Sequence, residues 1–279
     1  MQFKSLSALL FAICIDDIVT KAKNANAGCY ISNIFCGIYL YADDILIIAP
    51  TRTSLQILVD VCDKEVTSLD MQINAKKSMC IRFGSRFNHQ CTEITTDQGN
   101  SIKWVESCRY LGVHFISGRV LHCDFHDAKC RFFRAFNAIF SKVGRFASEQ
   151  VVIRLLRTKC LPILLYACEA CPLLSRQFHS FDFSLTRIFM KIFRTGSPVV
   201  VKDCQVQFGI LPIKCQLHIR TARFLQKFAA SENILCYLFK STATKQLTDI
   251  FRLYSSAISS ACQLHNFIFD QFTVDDVLS

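Results

Sequence analysis

Two adjacent aspartates, Asp43 and Asp44, stand between two short apolar runs in the stretch from Gly37 to Ala49, which reads GIYLYADDILIIA. Each run is rich in β-branched or aromatic residues and has about the length of a buried strand. The pattern predicts a β-hairpin that holds both carboxylates at its tip, with their oxygens in water. An ordinary turn would also explain the pair, because aspartate side chains often bond to their own backbone in turns.

Adjacent like charges become favourable when a divalent cation lies between them and a phosphate. Mg²⁺ prefers oxygen ligands and is usually held by one or two carboxylates together with substrate phosphates. Two such ions can act on the attacking and the leaving oxygen of a phosphoryl displacement. The acid pair therefore indicates either a plain turn or a metal site for phosphoryl transfer.

The motifs around the acid pair follow one another in the order of a known enzyme family. The tetrapeptide Tyr41–Asp44 resembles the YADD box of reverse transcriptases, and Asn74–Ser78 resembles their N-x-x-K-S/T motif. Tyr110–Gly112 resembles the YLG motif at the junction of palm and thumb, Leu6–Ile18 is similar to the segment after the QG motif, and Leu161–Glu169 is similar to a thumb helix. The resemblance is to the non-LTR (LINE, jockey-like) retrotransposon type.

This resemblance covers roughly residues 5–225 and implies an RNA-directed DNA polymerase, in which a primer 3′ hydroxyl attacks the α-phosphate of a deoxynucleotide. It implies an RNA template, a DNA primer and deoxynucleotides as partners and Mg²⁺ as the cofactor, with no protein partner identified. The catalytic and metal-binding roles fall on Asp43 and Asp44. The other roles that it implies are substrate binding by Tyr41, Ala42 and Lys77 and a primer grip formed by Tyr110, Leu111 and Gly112.

Three departures from the family pattern lead us to expect a truncated palm-and-thumb fragment that is inactive as an isolated chain. The third metal-binding aspartate of the family lies upstream of the QG motif and has no counterpart here, since Asp16 and Asp17 match a helical position. The QG pair is replaced by Phe3-Lys4, and fingers, endonuclease and RNase H segments are not expected. The alternative is a basic protein that binds nucleic acid without catalysis.

Composition narrows the class of protein further. The chain has 279 residues, is 51% hydrophobic and carries a formal net charge of +10, which favours a polyanionic partner. We expect no membrane span, because no run of strongly apolar residues is long enough. The 16 cysteines lack a regular spacing, which indicates reduced thiols in an intracellular protein of the cytoplasm or nucleus. A zinc site formed by His122, Cys123, His126 and Cys130 stays open.

The order of patterns predicts an α+β fold. A partial polymerase palm, with a mostly antiparallel sheet and packed helices, is expected over 1–116, an all-α thumb-like region over 117–233, and a tail of unclear fold over 234–279. The elements expected in the first region are helices over 6–23 and 54–69 and strands over 28–35, 36–48, 71–83 and 103–115.

Basic side chains recur at helical spacing in the second half of the chain. One such stripe fits a solvated helix face, but four of them in a basic chain favour contacts with a phosphate backbone. The residues expected to contact nucleic acid are Arg131, Arg134, Arg187, Lys191 and Arg194.

Overall fold

The computed structural model describes residues 3–144, 146–171 and 173–274. These residues form two compact units, which are treated separately below. Among these residues, unit 1 comprises those within Met1–Tyr110 and Phe115–Leu121, and unit 2 comprises those within Leu111–His114 and His122–Ser279. Small sheets lie in the first half of the chain and helices in the second, so the expected α+β class is confirmed.

The N-terminal half contains two long helices and short strands. Helix α1 covers Phe3–Asn24 and helix α2 covers Arg52–Ser68, close to the two helices that the sequence predicts. The strands are β1 (Tyr30–Ile31), β2 (Ile34–Phe35), β3 (Ile38–Tyr41), β4 (Asp44–Ile47), β5 (Met79–Cys80), β6 (Ile94–Thr95), β7 (Ser101–Trp104), β8 (Ser107–Tyr110), β9 (Val113–Ile116) and β10 (His122–Asp124).

The strands of unit 1 form several small sheets instead of the single, mostly antiparallel sheet expected from the sequence. Strands β1 and β2 pair antiparallel, as do β3 and β4. In a third sheet of order β5-β7-β6, β5 runs parallel to β7 and β6 runs antiparallel to it. These strands have two to four residues and are too short to bury a wide sheet face, so the helices contribute much of the apolar core.

The core of unit 1 lies between α1, α2 and the β3–β4 hairpin. Helix α2 begins where the Thr51 side chain accepts a hydrogen bond from the Ser54 amide, at 3.1 Å, because a free helix N-terminus needs such acceptors. Ile18 of α1, Leu58 of α2 and Ile38 of β3 are buried together. The base of the hairpin is therefore packed against two helices.

Unit 2 is helical. Its helices are α3 (His126–Val143), α4 (Glu149–Leu155), α5 (Leu161–Leu164), α6 (Ser175–Phe193), α7 (Pro198–Gln207), α8 (Ile213–Ala230), α9 (Ile234–Leu238), α10 (Lys240–Arg252) and α11 (Ala261–Val274), and a π-helical segment covers Leu156–Cys160. Aromatic rings fill its core, since Phe132, Phe136, Phe181 and Phe189 are at most 1% exposed. Within the described ranges, no helix combines the length and the apolar character needed to cross a membrane.

The C-terminal region, whose fold the sequence leaves open, consists of α9, α10 and α11. Phe251 of α10 and Leu264 of α11 are buried in one cluster with Ile219 and Ala222 of α8. Residues after Ile234 thus contribute to the core of unit 2. The apolar residues of this region are interleaved with serine and threonine, which hides their helical period in the sequence.

A partly buried histidine of unit 2, hydrogen-bonded to a tyrosine, is expected to make the stability of this unit depend on pH. His218 Nδ1 and Tyr254 Oη lie 2.7 Å apart. Burial lowers the pKa of His218 below its ordinary value of 6.5, and the charge of Lys214 adds to this effect. The imidazole of His218 therefore binds a proton more readily in the unfolded chain than in the folded protein. The unfolding free energy should keep its full value above pH 6.5 and fall as the pH drops below that value.

Urea denaturation followed by circular dichroism, at about pH 7 and about pH 5, measures this dependence. We expect His218→Gln to lose less stability than the wild type over that interval, because it has no proton to bind at this position. An equal fall in both proteins would assign the dependence to other groups.

Candidate active site

The acid pair lies at the tip of the β3–β4 hairpin, as the sequence predicts. The strands are in register from Ile38 opposite Ile47 to Tyr41 opposite Asp44. Ala42 and Asp43 form the two-residue turn, and Asp44 is the first residue of β4. Both carboxylates are exposed. The flanking strands are half-buried and not fully buried as expected, because β3 and β4 form a two-stranded sheet with one face toward the helices.

The turn contains one unusual backbone conformation. Ala42 has a φ of +51° and is the only turn residue with a positive φ, which is the sign pattern of a type II′ turn, where glycine is preferred. An alanine in this region costs roughly 1–2 kcal/mol. Such strain is found often at binding and catalytic sites in proteins, and here it lies at Ala42, directly between Tyr41 and the acid pair.

Asp44 lies within electrostatic range of a second residue named from the sequence. Burial raises the pKa of the Tyr110 phenol, and the negative charge of Asp44 raises it further. Both residues belong to unit 1, so the structure brings the first residue of the predicted primer grip close to the acid pair. Among the described residues, neither Asp43 nor Asp44 forms an ion pair.

The oxygens of Asp43 and Asp44 are a donor set that suits Mg²⁺, the ion that the reverse transcriptase family typically uses. In the part of the chain that the structure describes, no third carboxylate, histidine or cysteine joins them to make a metal-binding cluster. One or two carboxylates are enough for Mg²⁺ when phosphates supply further ligands. The pair therefore fits an ion that arrives with a nucleotide, but it is not by itself a two-metal site.

Lys77 lies in a tight turn that the first residue of its motif holds together. The Lys77 amide donates to the carbonyl oxygen of Asn74 at 3.0 Å and to its side-chain Oδ1 at 3.2 Å. The Lys77 side chain is exposed, and within the described ranges no ion pair joins it to Asp43 or Asp44. Its contact with substrate phosphates stays a prediction.

The other two residues of the predicted primer grip form a turn in unit 2. Leu111 and Gly112 both have positive φ, at +45° and +82°, and the Tyr166 hydroxyl donates to the Leu111 carbonyl at 3.0 Å. A Cβ atom on Gly112 would lie 3.2 Å from the Tyr166 ring. The stretch Leu161–Glu169 was predicted as a helix, but its α-helical part ends at Leu164. The turn that follows contains Tyr166 and places its hydroxyl beside the Leu111 carbonyl.

The five basic residues predicted to contact nucleic acid lie on α3, on α6 and just after α6, in different environments. Arg131 is paired with Asp127, one helical turn away, with Nε and Oδ2 3.0 Å apart. The side chains of Arg134, Arg187, Lys191 and Arg194 are exposed. The sequence did not single out Asn137, which accepts a hydrogen bond from Lys191 at 2.8 Å. An asparagine on a polar helix face carries no signal of such a contact.

The four residues considered as a zinc site are not assembled. Cys123 is 5% exposed, and burial together with a contact to Cys171 raises its pKa to about 12, which disfavours the thiolate that zinc requires. His126 Nε2 and Cys130 Sγ lie 3.5 Å apart on α3, while His122 is exposed in β10. Where the structure is described, no three such side chains converge.

Comparison with known proteins places the acid pair in a family context. Residues 4–115 match the family model "Reverse transcriptase (RNA-dependent DNA polymerase)". The chain is also similar to the Retrovirus-related Pol polyprotein from type-2 retrotransposable element R2DM of Drosophila melanogaster, at 23% identity over 130 residues. That alignment covers 44% of this chain and 12% of the polyprotein. A reverse transcriptase family domain of retrotransposon type is thereby supported, while the jockey-like assignment stays a prediction.

Proposed function

We propose that the chain provides the palm and thumb of an RNA-directed DNA polymerase from a non-LTR retrotransposon, with the palm over 1–116 and the thumb over 117–233. One observation carries this proposal. The exposed carboxylates of Asp43 and Asp44 lie at the tip of a packed hairpin, inside the segment that is similar to reverse transcriptases.

In this proposal, Asp43 and Asp44 bind Mg²⁺ together with the phosphates of an incoming deoxynucleotide. When bound, the ion neutralises charge on the phosphates during displacement by a primer hydroxyl. Tyr41 and Ala42 border the nucleotide because they lie directly before the acid pair on the exposed end of the hairpin. Lys77 adds a positive charge that stabilises the phosphates. This electrostatic stabilisation is largest where the charge is held in position.

The primer and template are held by residues of two kinds. Tyr110, Leu111 and Gly112 grip the primer end, and the bond from Tyr166 to Leu111 keeps that turn in one conformation. The basic residues of α3 and α6 contact phosphates, which gives affinity without sequence specificity. These roles agree with the partners of the reverse transcriptase family, which are a nucleic-acid template and primer.

As an isolated chain, the protein should bind the metal and nucleic acid but not extend a primer. Two carboxylates support one ion with its phosphates, whereas the displacement in this family uses a two-metal site, and the described residues place no third ligand beside them. A second candidate function, nucleic-acid binding without chemistry, is favoured by the exposure of Arg134, Arg187 and Lys191.

Manganese binding tests the proposed metal site. In the presence of a deoxynucleotide, Asp43→Asn with Asp44→Asn should weaken Mn²⁺ binding at least about tenfold, since even indirect partners of metal ligands are worth that much. The measurement is the electron paramagnetic resonance signal of free Mn²⁺ in a titration. The matched control is Asp16→Asn with Asp17→Asn, which neutralises another exposed pair of adjacent aspartates, on α1.

If both double variants weakened Mn²⁺ binding equally, the change in net charge would explain the effect. The metal site would then be refuted. Primer extension on an RNA template with Mn²⁺ or Mg²⁺ is the second measurement, and no extended product is expected. Extension that disappears in Asp43→Asn would show that another acid completes the site, and the expectation of inactivity would then be wrong.

A further inference from the structure

Helices α3 and α6 enclose a groove with a volume of about 520 Å³. We call it the α3–α6 groove, and its wall includes Phe133 and Asn137 of α3, Arg187, Ile188 and Lys191 of α6, and Thr195 just after α6. All of these residues belong to unit 2. Ligand sites in proteins usually have volumes of a few hundred to a thousand Å³ and combine an apolar lining with a few polar groups.

The two cations of the groove are held in position by neighbouring groups. Lys191 Nζ lies 5.4 Å from the centre of the Phe140 ring and donates to Asn137 Oδ1. Arg187 Cζ lies 6.0 Å from the centre of the Phe183 ring. Across the described ranges, no acid neutralises either cation. An anion in the groove would therefore meet two positive charges whose side chains have already lost part of their freedom.

The groove also offers an apolar surface between those charges. Phe133 and the largely buried Ile188 contribute to its lining. A nucleic-acid duplex keeps its bases stacked inside and presents phosphates on its outside. It therefore exposes no base faces that could contact an apolar concavity. A single strand exposes base faces that stack on aromatic side chains while its phosphates bind cations. The combination favours a single strand.

We propose that the α3–α6 groove binds single-stranded nucleic acid, with phosphates at Arg187 and Lys191 and a base against Phe133. The proposal rests on the nucleic-acid binding proposed above and deepens it by naming the site and the strandedness of its ligand. Two other arginines of unit 2 are engaged in ion pairs, Arg131 with Asp127 and Arg220 with Glu169.

The chain offers a matched control for this groove. Arg223 and Lys227 of α8 are also exposed and have the same spacing of four residues as Arg187 and Lys191. They are absent from the lining of the groove. Replacing either pair by glutamine removes two positive charges from one helix, so a general electrostatic effect would be the same for both double variants.

The experiment is a fluorescence anisotropy titration of the full chain with a labelled oligothymidylate of about twelve nucleotides and with a duplex of equal length, at several salt concentrations. Arg187→Gln with Lys191→Gln should weaken single-strand binding at least about tenfold. It should also reduce the magnitude of the slope of log K against log salt by about 1.4, because each of the two lost phosphate contacts contributes about 0.7. Arg223→Gln with Lys227→Gln should leave the single-strand affinity within about threefold of the wild-type value. Its salt slope should stay within about 0.3 of the wild-type slope.

Phe133→Leu tests the stacking part of the proposal without removing charge. It should weaken single-strand binding about tenfold, within the range found when one stacked base loses its aromatic partner, and leave the salt slope unchanged. Circular dichroism spectra of all variants should match the wild type, which shows that the helices are intact.

Equal losses in the two glutamine double variants, tighter binding of the duplex, or no binding of the oligothymidylate by the wild type would each overturn the groove proposal. The proposed metal site is judged separately, by Mn²⁺ binding and its dependence on Asp43 and Asp44. If single-strand binding did not depend on Arg187 and Lys191 while Mn²⁺ binding depended on Asp43 and Asp44, only the groove proposal would be refuted. If single-strand binding depended on the two cations but Mn²⁺ binding did not depend on the two aspartates, only the metal site would be refuted.

Discussion

Replacing Gly28 by alanine should lower the unfolding free energy of unit 1 by about 2–4 kcal/mol, through backbone strain and overpacking together. Gly28 has a φ of +101°, and an added Cβ would lie 3.0 Å from Leu58 Cδ1 and 3.0 Å from Phe35 Cε2. Leu58 is 0% exposed, so it has little room to move away. The backbone of Gly28 also approaches that of Gly37, just before β3, so the change should disturb the base of the hairpin that carries Asp43 and Asp44.

The chain provides both the probe and the control for this measurement. Trp104 is its single tryptophan and lies in unit 1, so fluorescence in a urea titration reports on this unit. Gly84→Ala is the matched variant, because Gly84 has a similar φ of +112° but nothing lies within 4 Å of its added Cβ. It should cost about 1–2 kcal/mol from strain alone. Equal losses in the two variants would show that the contacts of Gly28 contribute nothing.

The β3–β4 hairpin could be predicted from sequence because local patterns specify it. Apolar runs of strand length flank a turn-forming pair, and the register follows once the turn is placed. The helices α1 and α2 were predicted for the same reason, since their apolar positions recur at helical spacing. The left-handed conformation of Ala42 has no such signal, because alanine rarely adopts it.

Contacts between residues far apart in sequence could not be predicted. Lys191 and Asn137 meet across α3 and α6 at a separation of 54 residues, and Tyr166 reaches Leu111 at a separation of 55. Nothing in either helical pattern indicates which polar side chains will face each other. The α3–α6 groove therefore emerges only from tertiary packing, although its two cations were named from the sequence.

The division of the strands into small sheets was likewise not predicted. The sequence predicts strands over 71–83 and 103–115, but the structure has only strands of two to four residues there, with turns at Lys76–Lys77 and around Gly99. Such short strands bury little apolar surface of their own. Side chains of α2 complete their core, as Val59 does against Cys80, Ile94 and Ile102.

The second large effect is expected in unit 2, where Phe181→Ala should lower the unfolding free energy by about 3–5 kcal/mol. The Phe181 ring is 0% exposed and packs edge-to-face against Phe125, with ring centres 5.7 Å apart. Its removal leaves a cavity where α6 meets the residue that precedes α3. Because α3 and α6 form the walls of the α3–α6 groove, single-strand binding should weaken in parallel at urea concentrations that leave the wild type folded.

Phe183→Ala is the control for this prediction, since Phe183 lies on the same helix and loses the same atoms but is 64% exposed. It should change the unfolding free energy by no more than about 0.5 kcal/mol, as is usual for surface substitutions. Urea denaturation followed by far-ultraviolet circular dichroism, which is dominated by the helices, compares the two variants. If Phe183→Ala cost as much as Phe181→Ala, burial against Phe125 would not be what holds α6 in place. A small loss in both variants would show that this part of unit 2 repacks around the missing ring, and the walls of the groove would then be less rigid than the buried aromatic core implies.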